Sequence, residues 1–257
     1  MIIPTKNSGP NLARLLRSVK GTQGVRYELI VVDNASVDDT QKIASSMGCV
    51  VSNGGPERSS QRNLGAKLAH SEKLLFLDSD MEIDSFTLEL CAIGLATSDA
   101  LCLRERIIPG NNWWSLARAF ERDSYFGTLY YEAARCVRKE TFIDIGGYDT
   151  DITGLEDMAL QAKLIEGGYR IGWIDTPIMH HEEGITLTKY LSKRKFYGVT
   201  DERFRTQYPR YWKLLKSPFH RSKALLSHLR SVNRLNSIFY LILILIARSM
   251  EFVVRLE

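Results

Sequence analysis

The sequence predicts an α/β fold with a mostly parallel sheet flanked by helices, followed by a basic helical extension. Three observations support it: short apolar runs alternate with helix-patterned segments, two successive runs end in aspartates, and charge is divided unevenly along the chain. With 257 residues, 44% of them apolar and 25% charged, the chain is long enough for one full domain and an appendage.

The chain opens on a strand, a helix and a second strand. Residues 2–4 are predicted to end the first strand, and we expect the complete strand to begin before Met1. Asn11 caps a helix with an apolar face formed by Leu12, Leu15, Leu16 and Val19. Residues 27–32 then form a second buried strand that ends at Asp33.

Further helices and strands follow at similar spacing. The pattern predicts a helix from Asp38, a strand at residues 49–51, a helix at residues 60–69 and a buried parallel strand at residues 73–77. Strands that alternate with helices in this way are typical of βαβ units and a parallel sheet. The strand ends at Asp33 and Asp78 should therefore lie at the same edge of the sheet.

The most informative motif is Asp78-Ser79-Asp80, which directly follows the run at residues 73–77. Open α/β sheets bind their ligands at the carboxyl ends of their strands. Two carboxylates one residue apart suit a hard divalent cation that a nucleotide diphosphate completes with its own oxygens. The alternative is an acidic turn or a helix cap without function.

After Asp80 the sequence predicts a strand at residues 101–108, a helix at 113–125, a short strand at 136–137, a helix at 155–166 and a strand at 169–174. The four cysteines lack metal-ligand spacing, and we expect them to be buried free thiols in a reducing compartment: Cys49, Cys91, Cys102 and Cys136.

Glu156 and Asp157 fall in the first turn of the predicted helix at residues 155–166. Acidic residues at a helix N-terminus stabilise the helix dipole by about 0.3–1 kcal/mol, which is the structural alternative. A carboxylate held at a helix start near a metal site can instead accept a proton from a sugar hydroxyl.

These motifs occur together in an order that resembles the family 2 glycosyltransferases of GT-A fold. The resemblance covers about residues 1–200. It rests on Pro4-Thr5-Lys6-Asn7, on Asp33-Asn34-Ala35-Ser36 followed by Asp38 and Thr40, on Asp78-Ser79-Asp80, on Gly146-Gly147-Tyr148-Asp149, and on Glu156-Asp157. A mostly parallel nucleotide-binding sheet is the fold that this resemblance implies.

The resemblance implies a donor site on the first half of the chain. Pro4, Thr5 and Asn7 would line the nucleoside pocket, and Asp33 would hydrogen-bond the base. Arg58 and Arg62 would lie near the base and the diphosphate. A solvated loop and helix face is the alternative for both arginines.

The resemblance also implies the reacting groups and a divalent cofactor, Mn or Mg. Asp78 would face the ribose and the metal, while Asp80 would ligate the metal that bridges the diphosphate. Asp157 would be the general base, and Glu156 would orient it or contact the acceptor. His181 matches a histidine that contacts the metal or diphosphate, with a surface histidine of no role as the alternative.

The C-terminal region differs in charge from the rest of the chain. Residues 189–257 carry 15 Lys and Arg against 4 Asp and Glu, a net charge of +11, while the whole chain carries +4. Residues 238–247 are uncharged but too few to span a bilayer, which takes about 20. Arg248, Glu251 and Arg255 then form a polar stripe typical of a helix in the membrane interface. A helix docked on the catalytic domain or on a second subunit is the alternative.

We therefore predict a GT-A catalytic domain at residues 1–188 and a basic, aromatic-rich helical extension at residues 189–257. The predicted function is inverting transfer of a sugar from a nucleotide diphosphate sugar to a glycan or lipid-linked acceptor. The predicted location is the cytoplasm, on the inner face of the cell membrane. We expect no nucleic-acid partner, and the sequence does not set the oligomeric state. The alternatives are an RNA-binding protein, a nucleotidyltransferase of related fold and an inactive membrane scaffold.

Overall fold

The computed structural model describes residues 1–229 and 234–254. Contacts divide the chain into two compact units. The first unit comprises Met1–Arg104 and Ala133–Met179, and the second comprises Glu105–Glu132 and His180–Glu257. The predicted division at residue 188 stays a prediction.

The strands of the described residues are, in chain order, β1 (Ile2–Thr5), β2 (Ile30–Asp33), β3 (Val50–Asn53), β4 (Lys73–Leu75), β5 (Met81–Ile83), β6 (Ala100–Ile108), β7 (Ala134–Arg138) and β8 (Ile171–His181). The helices are α1 (Gly9–Lys20), α2 (Thr40–Ser46), α3 (Arg58–Leu68), α4 (Thr87–Gly94), α5 (Trp113–Asp123), α6 (Lys139–Asp144), α7 (Glu156–Glu166), α8 (Leu187–Gly198), α9 (Asp201–Gln207), α10 (Pro209–Leu215), α11 (Pro218–Leu229) and α12 (Arg234–Val254).

The predicted parallel βαβ arrangement is confirmed for the first three strands. They pair in the order β1-β2-β3, with Thr5 opposite Asp33 and Asp33 opposite Asn53. Helix α1 buries its predicted face completely, with Leu12, Leu15, Leu16 and Val19 shielded from solvent. The apolar period of 3.6 residues therefore set this helix face correctly.

The second sheet has the order β4-β7-β6-β8-β5 and contains antiparallel pairs. The run at residues 73–77 was expected to be a parallel strand, and this is only partly correct. Phe76 bridges Ile2 in parallel, but β4 itself pairs antiparallel with β7. Antiparallel pairing depends on a partner 60 residues away, which local periodicity does not report.

The second unit is built around α5, α8, α11 and α12. Trp114 of α5 and Tyr190 of α8 are buried and lie 5.0 Å apart between ring centroids. Ile244 and Ala247 of α12 are buried in the same cluster. This packing leaves the opposite face of α12 in solvent.

None of the described helices is long and apolar enough to cross a membrane. Of the predicted polar stripe, Arg248 is described, whereas Arg255 lies outside the described residues. The four cysteines are free; three are buried, and Cys49 is half-buried.

Candidate active site

The first part of the site is the carboxyl edge of the parallel sheet. The Thr5 hydroxyl donates a hydrogen bond of 3.0 Å to Asp33 Oδ1. Ser36 N and Gln41 Nε2 donate to Asp33 Oδ2 at 2.8 and 2.7 Å. Burial disfavours ionisation of Asp33, but these hydrogen bonds outweigh it, so the pKa of Asp33 lies below its ordinary value.

Two other predicted donor residues border this edge. Pro4 is buried within β1. Asn7 lies in the following loop with a φ of 49°, a left-handed conformation that asparagine tolerates better than most residues. Its Oδ1 accepts a hydrogen bond from Val37 N at 2.9 Å, and its backbone N–H donates to Ser36 Oγ at 2.7 Å. These bonds join the loops that follow β1 and β2.

The two predicted arginines lie one turn apart on α3. Glu57 caps this helix, because its carboxylate accepts hydrogen bonds from backbone N–H groups in the first turn. Gly65 brings α3 close to β1, since a Cβ there would lie 2.4 Å from Ile2 Cγ2. Arg58 remains partly exposed, whereas Arg62 is completely buried. A solvated helix face is therefore wrong for Arg62.

Asp78 and Asp80 lie in the segment between β4 and β5. Arg62 Nη2 contacts Asp78 Oδ1 at 2.6 Å, and Arg135 Nη1 contacts Asp78 Oδ2 at 3.2 Å. Each oxygen of this buried carboxylate therefore faces a guanidinium. Asp80 is half-buried in the turn that leads into β5. Contact of Asp78 with ribose or metal, and of Asp80 with metal, stays a prediction.

Glu156 and Asp157 begin α7, as predicted. Arg58 contacts Glu156 at 2.9 Å, and Arg62 contacts Asp157 at 3.2 Å. Arg135 approaches the second oxygen of Asp157 at 3.7 Å. The side chain of Asp157 is 26% exposed, compared with 4% for Glu156. We call these side chains the arginine–carboxylate cluster: Arg58, Arg62, Asp78, Arg135, Glu156 and Asp157.

The glycine turn before α7 covers this cluster. Gly146 and Gly147 have φ angles of 75° and 64°, which glycine adopts without strain. The Tyr148 ring centroid lies 5.0 Å from the Arg62 guanidinium carbon. Burial disfavours the cationic form of Arg62, but Asp157 and Asp78 outweigh it, so the pKa of Arg62 rises above its ordinary value.

His181 belongs to the second unit, where its Nδ1 lies 2.6 Å from Glu183 Oε1. Its predicted metal contact stays a prediction. Among the described residues, no group of three His, Cys, Asp or Glu side chains converges as a metal site. One carboxylate completed by diphosphate oxygens remains compatible with Mn²⁺ or Mg²⁺, because both ions accept oxygen donors from a bound substrate.

Sequence reasoning missed Arg135 and Tyr148 as members of the site. Arg135 is a buried cation in β7, a position that carries no motif. The sequence feature that could have identified Arg135 is a charged residue inside a buried strand, because a buried charge requires an ionic partner. Tyr148 was noted only as part of the glycine turn.

Comparison with known proteins identifies the family of this chain. The model of Glycosyl transferase family 2 matches residues 1–149. The pre-mycofactocin glycosyltransferase of Mycobacterium tuberculosis is 24% identical over 220 residues, which cover 77% of this chain and 45% of that protein. The chain therefore spans less than half the length of this relative.

Solved structures show the same fold. The mannosyltransferase PcManGT from Pyrobaculum calidifontis, in complex with GDP-Man and Mn²⁺, superposes with a TM-score of 0.61 and 17% identity, over 98% of this chain and 82% of that one. S. aureus TarS 1–349, in complex with UDP-GlcNAc, superposes with a TM-score of 0.60 and 19% identity, over 90% and 80%. With the family model matching more than half of its residues, the chain belongs to glycosyl transferase family 2 and has the GT-A fold.

Proposed function

We propose that the protein is an inverting glycosyltransferase that moves a sugar from a nucleotide diphosphate sugar to an acceptor hydroxyl. The observation that carries the proposal is Asp157, a partly exposed carboxylate held by Arg62 at the start of α7. The family match favours glycosyl transfer over nucleotidyl transfer. PcManGT and TarS, which share the fold, were solved with GDP-Man and UDP-GlcNAc.

In this mechanism Asp157 accepts the proton of the acceptor hydroxyl. The acceptor oxygen attacks the anomeric carbon while the bond to the diphosphate oxygen breaks, which inverts the configuration without an enzyme nucleophile. Asp80 is the residue of the first unit that would hold Mn²⁺ or Mg²⁺. When bound, the ion supplies positive charge that neutralises the departing diphosphate.

The test is a screen of nucleotide sugars with Mn²⁺ or Mg²⁺, scored by release of nucleoside diphosphate. Asp157→Asn should abolish turnover and leave the donor dissociation constant close to wild type, because the base acts on the acceptor. Glu166→Gln, at the other end of α7 and exposed, is the matched control and should retain full turnover. Loss of donor affinity with retained turnover in Asp157→Asn would contradict the mechanism. NMR of the product sets the anomeric configuration.

We further propose that the second unit binds the inner face of the cell membrane and that the acceptor is a lipid-linked or membrane-proximal glycan. Helix α12 supports this proposal, because its solvent face is a continuous apolar stripe. The residues of the stripe are each 40–55% exposed: Ile238, Phe239, Ile242, Leu245, Ile246 and Met250. Spacings of three and four residues place them on one side of the helix.

Charge favours an anionic lipid surface over a second copy of the chain as the occupant. The exposed basic residues of the second unit include Arg106, Lys189, Lys193, Lys195, Arg203, Arg205, Arg210, Lys213 and Lys223. Two copies would bring like charges together, whereas each Lys or Arg near anionic lipid contributes about 1 kcal/mol. The apolar stripe would then insert below the head groups.

The test is sedimentation of the full chain with phosphatidylglycerol vesicles and with neutral vesicles. We expect binding to the anionic vesicles that weakens with salt and falls at least about tenfold in Ile242→Ser/Ile246→Ser, since about 1.4 kcal/mol changes an equilibrium tenfold. Ile143→Ser, an equally apolar exposed position in the first unit, should bind like wild type. Absence of binding at low salt would refute the proposal, and concentration-dependent dimers would assign the stripe to a second copy.

A further inference from the structure

The arginine–carboxylate cluster contains two parallel bridges between Asp78 and Asp157. Arg62 contacts Asp78 at 2.6 Å and Asp157 at 3.2 Å. Arg135 contacts Asp78 at 3.2 Å and Asp157 at 3.7 Å. The two arginines come from α3 and β7, so each reaches the same pair of carboxylates from a different element.

Burial makes these bridges rigid. The side chains of Arg62 and Arg135 are 0% and 8% exposed, and that of Asp78 is 13% exposed. The Tyr148 ring packs against Arg62 and excludes water from that side. A guanidinium is planar and carries a fixed fork of N–H groups, so it can hold two carboxylates at once with little loss of entropy. Asp157 is the only carboxylate of the cluster that remains more than 20% exposed.

We propose that Arg62 and Arg135 are positioning residues for the base Asp157, and that Asp78 holds both arginines in place. The inference rests on the proposed function, in which Asp157 takes the acceptor proton. It assigns to Asp78 a role different from contact with ribose or metal: Asp78 acts through the two arginines. Catalysis depends on this because a displacement of about 1 Å in a reacting group can cost about 100-fold in rate.

The experiment compares Arg135→Lys, Arg135→Met and Asp78→Asn with wild type. Arg135→Lys keeps the charge but loses the forked guanidinium that contacts two carboxylates at once. We therefore expect kcat to fall about 10–100-fold with an unchanged donor KM. Arg135→Met removes the charge as well and should lower kcat further, again with an unchanged donor KM. Asp78→Asn should lower kcat while the donor dissociation constant, measured by calorimetry, stays close to wild type. Arg14→Lys, at a partly exposed, ion-paired arginine of the same unit, is the control and should match wild type.

Each outcome decides the question. Urea unfolding midpoints identify any variant whose loss reflects unfolding, and Arg135→Lys, the most conservative change, then decides alone. Wild-type kcat in both Arg135→Lys and Asp78→Asn, with Asp157→Asn inactive, would overturn the inference and leave the proposed function intact. Weaker donor binding with full kcat in Asp78→Asn would place Asp78 in the donor site and also overturn it. Turnover by Asp157→Asn would instead refute the proposed function.

Discussion

Replacing Glu121 by glutamine should cause a large loss of stability in the second unit. Glu121 is 1% exposed, and its carboxylate contacts Arg118 through Oε2 and Arg248 through Oε1 at 2.6 Å. Tyr125 donates a third hydrogen bond at 2.8 Å. Glu121→Gln preserves the side-chain shape but removes the buried negative charge that the half-buried guanidinium groups of Arg118 and Arg248 share. Breaking a buried pair in this way costs about 3–5 kcal/mol.

Urea unfolding, followed by tryptophan fluorescence, to which the buried Trp114 of the second unit contributes, measures this loss. With a urea m-value of about 2 kcal/mol/M, a cost of about 4 kcal/mol lowers the midpoint by about 2 M. Glu202→Gln is the matched control, because Glu202 and Arg205 form an exposed pair, 68% and 57% exposed, on α9. Such pairs contribute at most about 1 kcal/mol. If Glu121→Gln lowers the midpoint no more than the control does, the buried network does not stabilise the unit.

The same network predicts a pH dependence. Burial disfavours the Glu121 carboxylate, but Arg248 and Arg118 outweigh it and hold the pKa of Glu121 well below its ordinary value. Stability that comes from a lowered pKa is fully present above the unfolded pKa of about 4.3 and is lost as the pH falls below it. The difference in midpoint between wild type and Glu121→Gln should therefore shrink below about pH 4.

Three further predictions concern the first unit. Gly65→Ala should lower the free energy of unfolding by about 1–3 kcal/mol, because the added Cβ would meet Ile2. Gly198→Ala in α8 is the control: its Cβ would have no atom within 4 Å, so it should be neutral or stabilising. Asp33→Asn should lower the urea midpoint at pH 7 and progressively less as the pH falls below about 3.9, since the lowered pKa of Asp33 stabilises the fold only while the carboxylate is ionised. Asp80→Asn should lose nearly all sugar-transfer activity without a change in the urea midpoint. Wild type in excess chelator should lose activity in the same way. Full activity in either experiment would refute the assignment of Asp80 as a metal ligand.

The sequence was sufficient for the features that depend on local periodicity. The buried face of α1 and the parallel pairing of β1, β2 and β3 follow from apolar spacing and from strands that alternate with helices. Asp33 also lies where a parallel sheet puts it, at the carboxyl end of β2. Asp157 lies in the first turn of α7, as the helix pattern predicted.

Features that depend on long-range pairing could not be predicted in the same way. Arg135 and Asp78 are 57 positions apart, and nothing in the pattern around residue 135 marks it as a partner. The antiparallel pairing of β4 with β7 brings Arg135 to this position. Arg62 shows the same limit, since the buried charge is compensated by Asp78, Glu156 and Asp157, which lie on other elements.

The charge balance of the arginine–carboxylate cluster explains how the two aspartates of the motif at residues 78–80 can have different roles. Three guanidinium groups face three carboxylates, so the cluster is neutral, which lowers the cost of burying it. Both carboxylate oxygens of Asp78 contact arginines inside this neutral cluster, whereas Asp80 follows in the half-buried turn. An incoming diphosphate with its divalent ion would therefore meet Asp80 without drawing Asp78 away from the arginines. On this reasoning the first aspartate of the motif holds the arginines that position the base, and the second would contact the donor through the metal ion.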